Sequence, residues 1–420
     1  MLFSLPALAV EKTVQLDMEQ GWHQKHNQTS RIAITLDLTA AMTESTSFTT
    51  IIKGQLLGPD KLEPGRPKQN AVSPASQRVY LNNTSELELR ELYFDIDFKN
   101  ASLRLGKQQI VWGQADGLKL LDVVNPQDFR RFILDDFDDS RIPLWMLNLE
   151  MFLSSGDLQL LWIPDTSMHN LPEAGAIFEI TAPLADLLSN TPVTVGAIDR
   201  PDSVIKDSDI GLRWSMFIDG WDVTLNYLYH YDDFPVTNVQ IGNSGLLLSP
   251  RFERTHTTGA SAGNAFGDFI VRIEMVYNTD KYLVTKANRN SATSISQIAS
   301  TQELAYIIGL DWTGITDTFI SVQLFQSHLL GGQEFARDEI DTNITLLTRR
   351  SFLNESLNLE MLWIYHLNND DYLARLSADY ELTTNLSMTL YADFFEGQEN
   401  ALFGQFDDKD QLGIKFSYGF

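Results

Sequence analysis

Apolar and polar side chains alternate one by one along most of this chain. In the last ten residues, Leu412, Ile414, Phe416, Tyr418 and Phe420 alternate with Gln411, Gly413, Lys415, Ser417 and Gly419. A period of two puts one set on each face of an extended strand. The pattern recurs upstream. Ile32, Ile34, Leu36 and Leu38 oppose Thr35 and Asp37, and Ile210, Leu212, Trp214 and Met216 oppose Gly211, Arg213 and Ser215. Phe269, Val271, Ile273, Met275 and Tyr277 oppose Arg272 and Glu274, and Leu357, Leu359, Met361, Trp363 and Tyr365 oppose Asn358 and Glu360.

The connections alternate as well. Short turns are predicted at 41–45, 99–100, 154–156, 219–220, 266–268, 314–317, 354–356 and 383–385. Between them lie mostly longer connections, notably 57–83, 113–143, 164–207, 232–250 and 280–300. Short turns on one rim and long loops on the other is the layout of a transmembrane β-barrel. Both termini fall on the short-turn rim, so the strand number is even. The expectation is an all-β fold: a transmembrane antiparallel β-barrel of the outer membrane, with about eighteen strands running from 14–22 to 411–420. About sixteen is the alternative, because 14–22 alternates least clearly. The rival is a soluble sandwich or propeller, whose apolar face turns inward. Trp22, Trp162, Trp214, Trp221, Tyr277, Trp312, Trp363, Tyr365 and Tyr418 lie near strand ends, which fits aromatic girdles and favours the barrel.

Composition narrows the picture. A soluble chain of 420 residues would usually divide into domains, whereas one closed sheet absorbs the whole length. No apolar run reaches the ~18 residues of a transmembrane helix. Cysteine is absent, which removes disulfides, thiolate metal sites and cysteine nucleophiles. A net charge of −25 argues against nucleic acid as a partner. Residues 1–9 are apolar and end in Ala7-Leu8-Ala9, which fits the remnant of a secretory signal peptide cleaved after Ala9. Residues 10–420 then form a single barrel domain.

The polar faces are expected to line a lumen. Its acids are Asp17, Glu19, Asp37, Glu150, Asp222, Glu274, Glu303, Asp311, Glu360, Asp379 and Asp393; its bases are Lys53, Arg104, Arg213, Arg272, Arg375 and Lys415. They form either a selectivity surface or a lattice of cross-strand ion pairs.

The densest polar chemistry lies in the connection 113–143, expected to fold into the lumen. Asn125-Pro126-Gln127-Asp128 reads as a helix start, with Asn as N-cap, Pro at the first helical position and an acid in the first turn. Phe129, Phe132, Ile133 and Phe137 follow as an apolar stripe. A second short helix or turn is expected over 117–124. The remaining candidate plug or constriction residues are Asp116, Lys119, Asp122, Arg130, Arg131, Asp135, Asp136, Asp138, Asp139 and Arg141. Three roles stand open: a plug paired with the wall, a constriction that touches solute, or a divalent-cation site. The last lacks the spacing that wraps calcium, so no metal or cofactor is expected. In the connection 164–207, Leu184, Leu187 and Leu188 hint at a short helix capping the outer rim.

Leu105-Gly106-Lys107-Gln108, then Trp112-Gly113, then Asn125-Pro126 resembles a family of uncharacterised Gram-negative outer-membrane barrels, whose strand commonly carries arginine where this chain has Lys107. The motif covers about forty residues. Members are often encoded beside pumps of the resistance-nodulation-division superfamily that handle hydrophobic or lipid-like molecules. More distantly the chain resembles the eighteen-stranded alginate-export barrels, although those are rich in lumenal arginine and this lumen is acidic. The resemblance implies transport across the outer membrane. Phe420, after Phe416 and Tyr418, resembles the C-terminal signal read by the barrel-assembly machinery.

No enzymatic activity is expected. His256 near Ser261 and Asn264 is the nearest approach to a hydrolase constellation, and it lacks a nucleophile motif; a polar histidine of the lumen is the reading. His230 with Asp232 and Asp233 reads as an interfacial cluster at a loop end. The functional expectation is an outer-membrane channel for a hydrophobic or amphipathic solute, constricted by the 113–143 loop and working with an exporter or a periplasmic partner. The alternative is a plugged barrel that binds a lipoprotein, a polysaccharide or lipopolysaccharide, among the surrounding lipids.

Overall fold

The computed structural model describes residues 10–23, 28–58, 60, 62–65, 69–181, 193–242, 245–286 and 298–420. Residues 1–9, with the expected signal remnant, and Leu184, Leu187 and Leu188 lie outside these.

The alternating segments pair into one antiparallel sheet of 19 strands. One of these, the two-residue Val79–Tyr80, only extends the edge of Ser85–Phe98. The other eighteen form a ring in which each strand pairs with the next in sequence. Val10–His23 closes it, bonding to Thr29–Thr43 on one side and to Gln411–Gly419 on the other. The weakest alternation in the sequence thus belongs to a full stave. At the seam, Val14 N–H donates to the carbonyl of Phe420 at 3.0 Å, and Phe420 N–H donates back at 2.9 Å. Closure leaves no free edge, so every backbone group of the wall has a partner without water.

The sheet is greasy outside and polar inside. Ile210, Leu310, Leu390 and Leu412 are 53%, 48%, 47% and 58% exposed, whereas Thr224, Ser321, Gln323 and Thr345 on the opposite face are each 1% exposed. A soluble sheet would have this the other way round. Among the described residues no helix is long and apolar enough to cross a membrane; the strands have that length.

Short turns join the strands at the expected rim, for instance between Leu144–Leu153 and Gly156–Ile163 and between Ile298–Trp312 and Thr318–Leu330. On the long-loop side, Val236–Gly242 and Gly245–Arg251 form a hairpin that pairs in parallel with Val193–Val195.

The expected helices are not formed. Residues 117–136 run as bends, turns and bridges, and one helical turn, Phe137–Ser140, is all that remains. The capping signal at Asn125 fails because its side chain is engaged elsewhere, as described below. His256 is also corrected. Thr255, Thr257 and Ser261 are buried on the inner face, so His256 points outward, where it stacks on Tyr229 at 4.6 Å and bonds the Tyr227 hydroxyl at 2.8 Å. His256 and Ser261, five residues apart on one strand, therefore face opposite ways.

Two apolar clusters sit inside the ring. One joins Phe132 and Leu134 of the inserted loop to Leu347, Leu362, Ile364, Leu373 and Phe395 of the wall. The other joins Ile110, Trp112 and Val124 to Leu144, Met146, Leu161, Ile163 and Leu228.

Candidate functional site

The segment 109–143 leaves the wall after Ala101–Gln108 and returns at Leu144–Leu153. Gly106, with φ +140°, shapes the exit: a Cβ there would collide with the backbone of Leu92 and Tyr93. Trp112 is fully buried, and its indole N–H donates to Gln159 Oε1 at 2.8 Å. Asn125 then fastens the two ends of the loop together. Its Oδ1 accepts from Ile110 N–H at 2.8 Å, and its Nδ2 donates to the Ile142 carbonyl at 2.9 Å. That staple consumes the oxygen a helix cap would have used.

Between these ends the segment reaches staves on all sides. Gln114 N–H and Leu121 N–H donate to the two carboxylate oxygens of Glu274, and Arg272 pairs with Asp116 and, at 2.8 Å, with Asp311. Asp116 N–H donates to Gln323 at 3.1 Å. Leu121 lies over Gly259, where a Cβ would displace it. Arg375 pairs with Asp393 at 3.0 Å and donates to the carbonyls of Ile133 and Leu134. Arg131 pairs with Glu19 at 2.7 Å and Asp135 at 2.9 Å, and Lys53 with Asp139 at 2.8 Å. Arg90 donates to the carbonyls of Asp138 and Arg141 at the end of the helical turn. A segment bonded to so many staves of one ring crosses its interior.

Arg130 anchors the deepest network. It bonds Asp128 at 2.8 Å, Glu63 at 3.0 Å and Glu86 at 3.3 Å, and Arg78 bonds Asp128 at 2.6 Å and Glu88 at 3.5 Å. Burial pushes the Asp128 carboxyl up, but the two guanidiniums beside it hold it well below the usual carboxylate range. Asp122 takes Arg141 at 2.8 Å and Lys119 at 3.4 Å. Burial pulls the Lys119 ammonium down to about 8. Asp136 is pushed up by burial, whereas Lys53 holds Asp139 at about 2 against burial. Asp138 pairs with Arg141 at 2.5 Å and is otherwise in solvent.

Two cavities flank the segment. One, about 430 Å³, opens toward the long loops and is lined by Leu118, Phe129, Phe132, Ile133, Phe137 and Phe234 among others. The second, about 260 Å³, lies toward the short turns and is lined by Glu19, Arg131, Asp136, Arg375, Asp379 and Lys415 among others. Asp135 borders both.

The remaining expected wall residues contribute unevenly. Glu303 binds Arg337 at 2.8 Å, and Glu360 binds Arg349 at 2.5 Å. Asp379 accepts from the Thr389 hydroxyl, and Lys415 lies 3.9 Å from Asp17. Arg213 donates to the Val111 carbonyl at 3.4 Å and faces the charges of Asp222 and Glu150. Arg104 pairs with Asp95 at 2.7 Å and has no bond to the loop.

Sequence reasoning missed Arg78, Glu86, Glu88 and Arg90. The alternation of Glu86, Glu88 and Arg90 with Leu87 and Leu89 was a usable signal, but a bulge opposite Ile51 and Ile52 shifts its phase. It also missed the share of residues 164–181. There, Asn170 exchanges backbone bonds with Gln127 and Phe129, His169 Nδ1 accepts from Gln127 N–H at 2.8 Å, and Phe178 packs on Phe395 and Phe406.

The chain belongs to the family described as "Protein of unknown function (DUF1302)", whose model matches residues 58–365. No curated protein matches it. Solved structures with a similar fold include OpdK of Pseudomonas aeruginosa, determined with vanillate (8% identity, TM-score 0.55, 98% of each chain covered). OccK8 (OprE) of the same organism is 11% identical at TM-score 0.54, covering 99% of this chain and 98% of that one. OccAB1 of Acinetobacter baumannii is 9% identical at TM-score 0.54, covering 99% and 97%. At these identities the likeness is one of fold: a closed barrel of the outer-membrane type.

Proposed function

We propose that this DUF1302 barrel is an outer-membrane channel for small hydrophobic or amphipathic solutes, constricted by its 113–143 loop. One observation carries the reading. The loop separates two cavities, and the inner wall against which it packs is apolar at Leu347, Leu362, Ile364, Leu373 and Phe395. A pore for ions or sugars gains nothing from such a strip, whereas a solute with an apolar body can slide along it. The charged groups around the strip keep the passage wetted and orient the polar end of the solute. The chain works as a conduit and not as a catalyst, beside an exporter or a periplasmic partner, and Phe420 is presented to the assembly machinery. Conductance in planar bilayers tests the idea: removing 117–139 raises the single-channel conductance of the purified protein, and an unchanged trace counts against it.

A second reading follows from the Arg130 network, whose buried pairs would be costly to break. In that reading the loop is a fixed plug and the outer loops hold a lipoprotein, a polysaccharide or lipopolysaccharide. A silent bilayer trace together with a stoichiometric partner in a pull-down supports it.

A further inference from the structure

The cavity of about 430 Å³ on the long-loop side has the volume of an ordinary small-molecule site, ~300–1,000 Å³. Its lining charges are Lys119, Asp122, Asp135, Asp232, Asp233, Lys281 and Glu303. Nearly all are matched. Lys119 and Arg141 hold Asp122, Arg131 holds Asp135 at 2.9 Å, Lys281 holds Asp232 at 2.6 Å, and Arg337 holds Glu303 at 2.8 Å. Asp233 is left over: among the described residues its carboxyl has no ion pair and no hydrogen bond.

Aromatic rings stand next to it. Phe129 and Phe234 stack at 5.7 Å, and His169 meets both edge-on, at 5.0 and 4.4 Å. His169 adds no positive charge, because burial pulls its imidazole down to about 3. Its Nδ1 accepts from Gln127 N–H, so its proton sits on Nε2. Burial, Asp209 and Asp232 all push the Asp233 carboxyl up, which is the behaviour of an acid without a cation to face.

We infer that this cavity binds organic amines with an aromatic or aliphatic body, the ammonium meeting Asp233 and the body lying against Phe129 and Phe234. An unmatched carboxylate beside aromatic faces suits a hydrophobic cation on both counts, through charge and through cation–π attraction. A hydrophobic carboxylate of the same size would meet like charge at Asp233. The inference rests on the channel reading and narrows its solute class.

The test uses the full chain in detergent, with phenethylamine and 3-phenylpropionate as probes of matched size, and reads binding by ligand-observed NMR. Phenethylamine is expected to bind, and 3-phenylpropionate about tenfold more weakly or not at all. Asp233→Asn should abolish that preference, and Phe129→Ala should weaken the amine. Equal or tighter binding of the carboxylate, or a preference that survives Asp233→Asn, overturns the inference. Bilayer recordings keep the two readings apart. An Asp233-dependent amine site in a barrel that never conducts leaves the binding site standing and removes the channel. A conducting barrel without the amine preference does the reverse.

Discussion

Arg131 Nη2 donates to Glu19 Oε1 at 2.7 Å, tying the middle of the inserted loop to the stave that closes the ring. Arg31 and the Tyr391 hydroxyl hold the same carboxylate, at 2.9 and 2.7 Å. Arg131→Met removes the loop from this latch but leaves Glu19 neutralised by Arg31, so the barrel should still assemble. Single-channel recordings of the variant are expected to be noisier and of higher mean conductance. A trace like that of the parent protein would mean that the latch does not hold the constriction.

Arg130 and Arg104 make a contrast. Both pair with acids, but Arg130 is buried among Asp128, Glu86 and Glu63, whereas the Arg104–Asp95 pair is near solvent. Removing one partner of a buried network costs about 3–5 kcal/mol, while an exposed pair is worth about 0–1 kcal/mol. Arg130→Ala should therefore lower the heat needed to unfold the barrel on a semi-native gel, and Arg104→Ala should barely shift it. Equal effects would contradict the burial argument.

Asn125 fastens both ends of the loop through Ile110 N–H and the Ile142 carbonyl. Asn125→Leu keeps the volume and leaves two buried backbone groups unpaired, at about 1–3 kcal/mol each. The loop should become a protease site while the strands stay resistant; limited proteolysis with mass spectrometry of the fragments checks this.

The Lys53–Asp139 pair gives a pH dependence. Asp139 is held at about 2 against an ordinary 3.8, so the folded state binds its proton less readily than the unfolded chain. The stabilisation is complete above about 4 and is lost as the pH falls toward 2. Fluorescence of the buried Trp112 region and bilayer conductance should both change over that window. Lys53→Met should flatten the part of the change that belongs to this pair.

The ring was legible because lipid outside and water inside impose period two on every stave, from Ile32 and Ile34 to Phe416 and Tyr418. The placement of the loop was legible too, since Phe129, Phe132 and Phe137 had no use on a wet surface. Its conformation was not. The Asn125-Pro126 signal is local, and a partner fifteen residues upstream, Ile110 N–H, outcompeted it. The wall was read as apolar outside and polar inside, which hid Leu362, Ile364 and Leu373, inward-facing residues that look like a continuous run beside their outward neighbours. The Arg78–Glu86–Glu88 side of the site was masked by a bulge, because one extra residue reverses the apparent facing of everything after it.

The seam between residues 10–23 and 411–420 has a consequence for biogenesis. Val14 and Phe420 exchange their bonds only when the first and last staves meet, so the earliest segment to be made must wait for the final one. Until then two long rows of N–H and C=O groups stand unpaired, which hydrocarbon does not tolerate and which invites pairing with foreign chains. A chain shortened by its last stave would lose more than one strand in eighteen: it would be a curled ribbon with two sticky borders, bound for aggregation or degradation rather than for a slightly smaller pore.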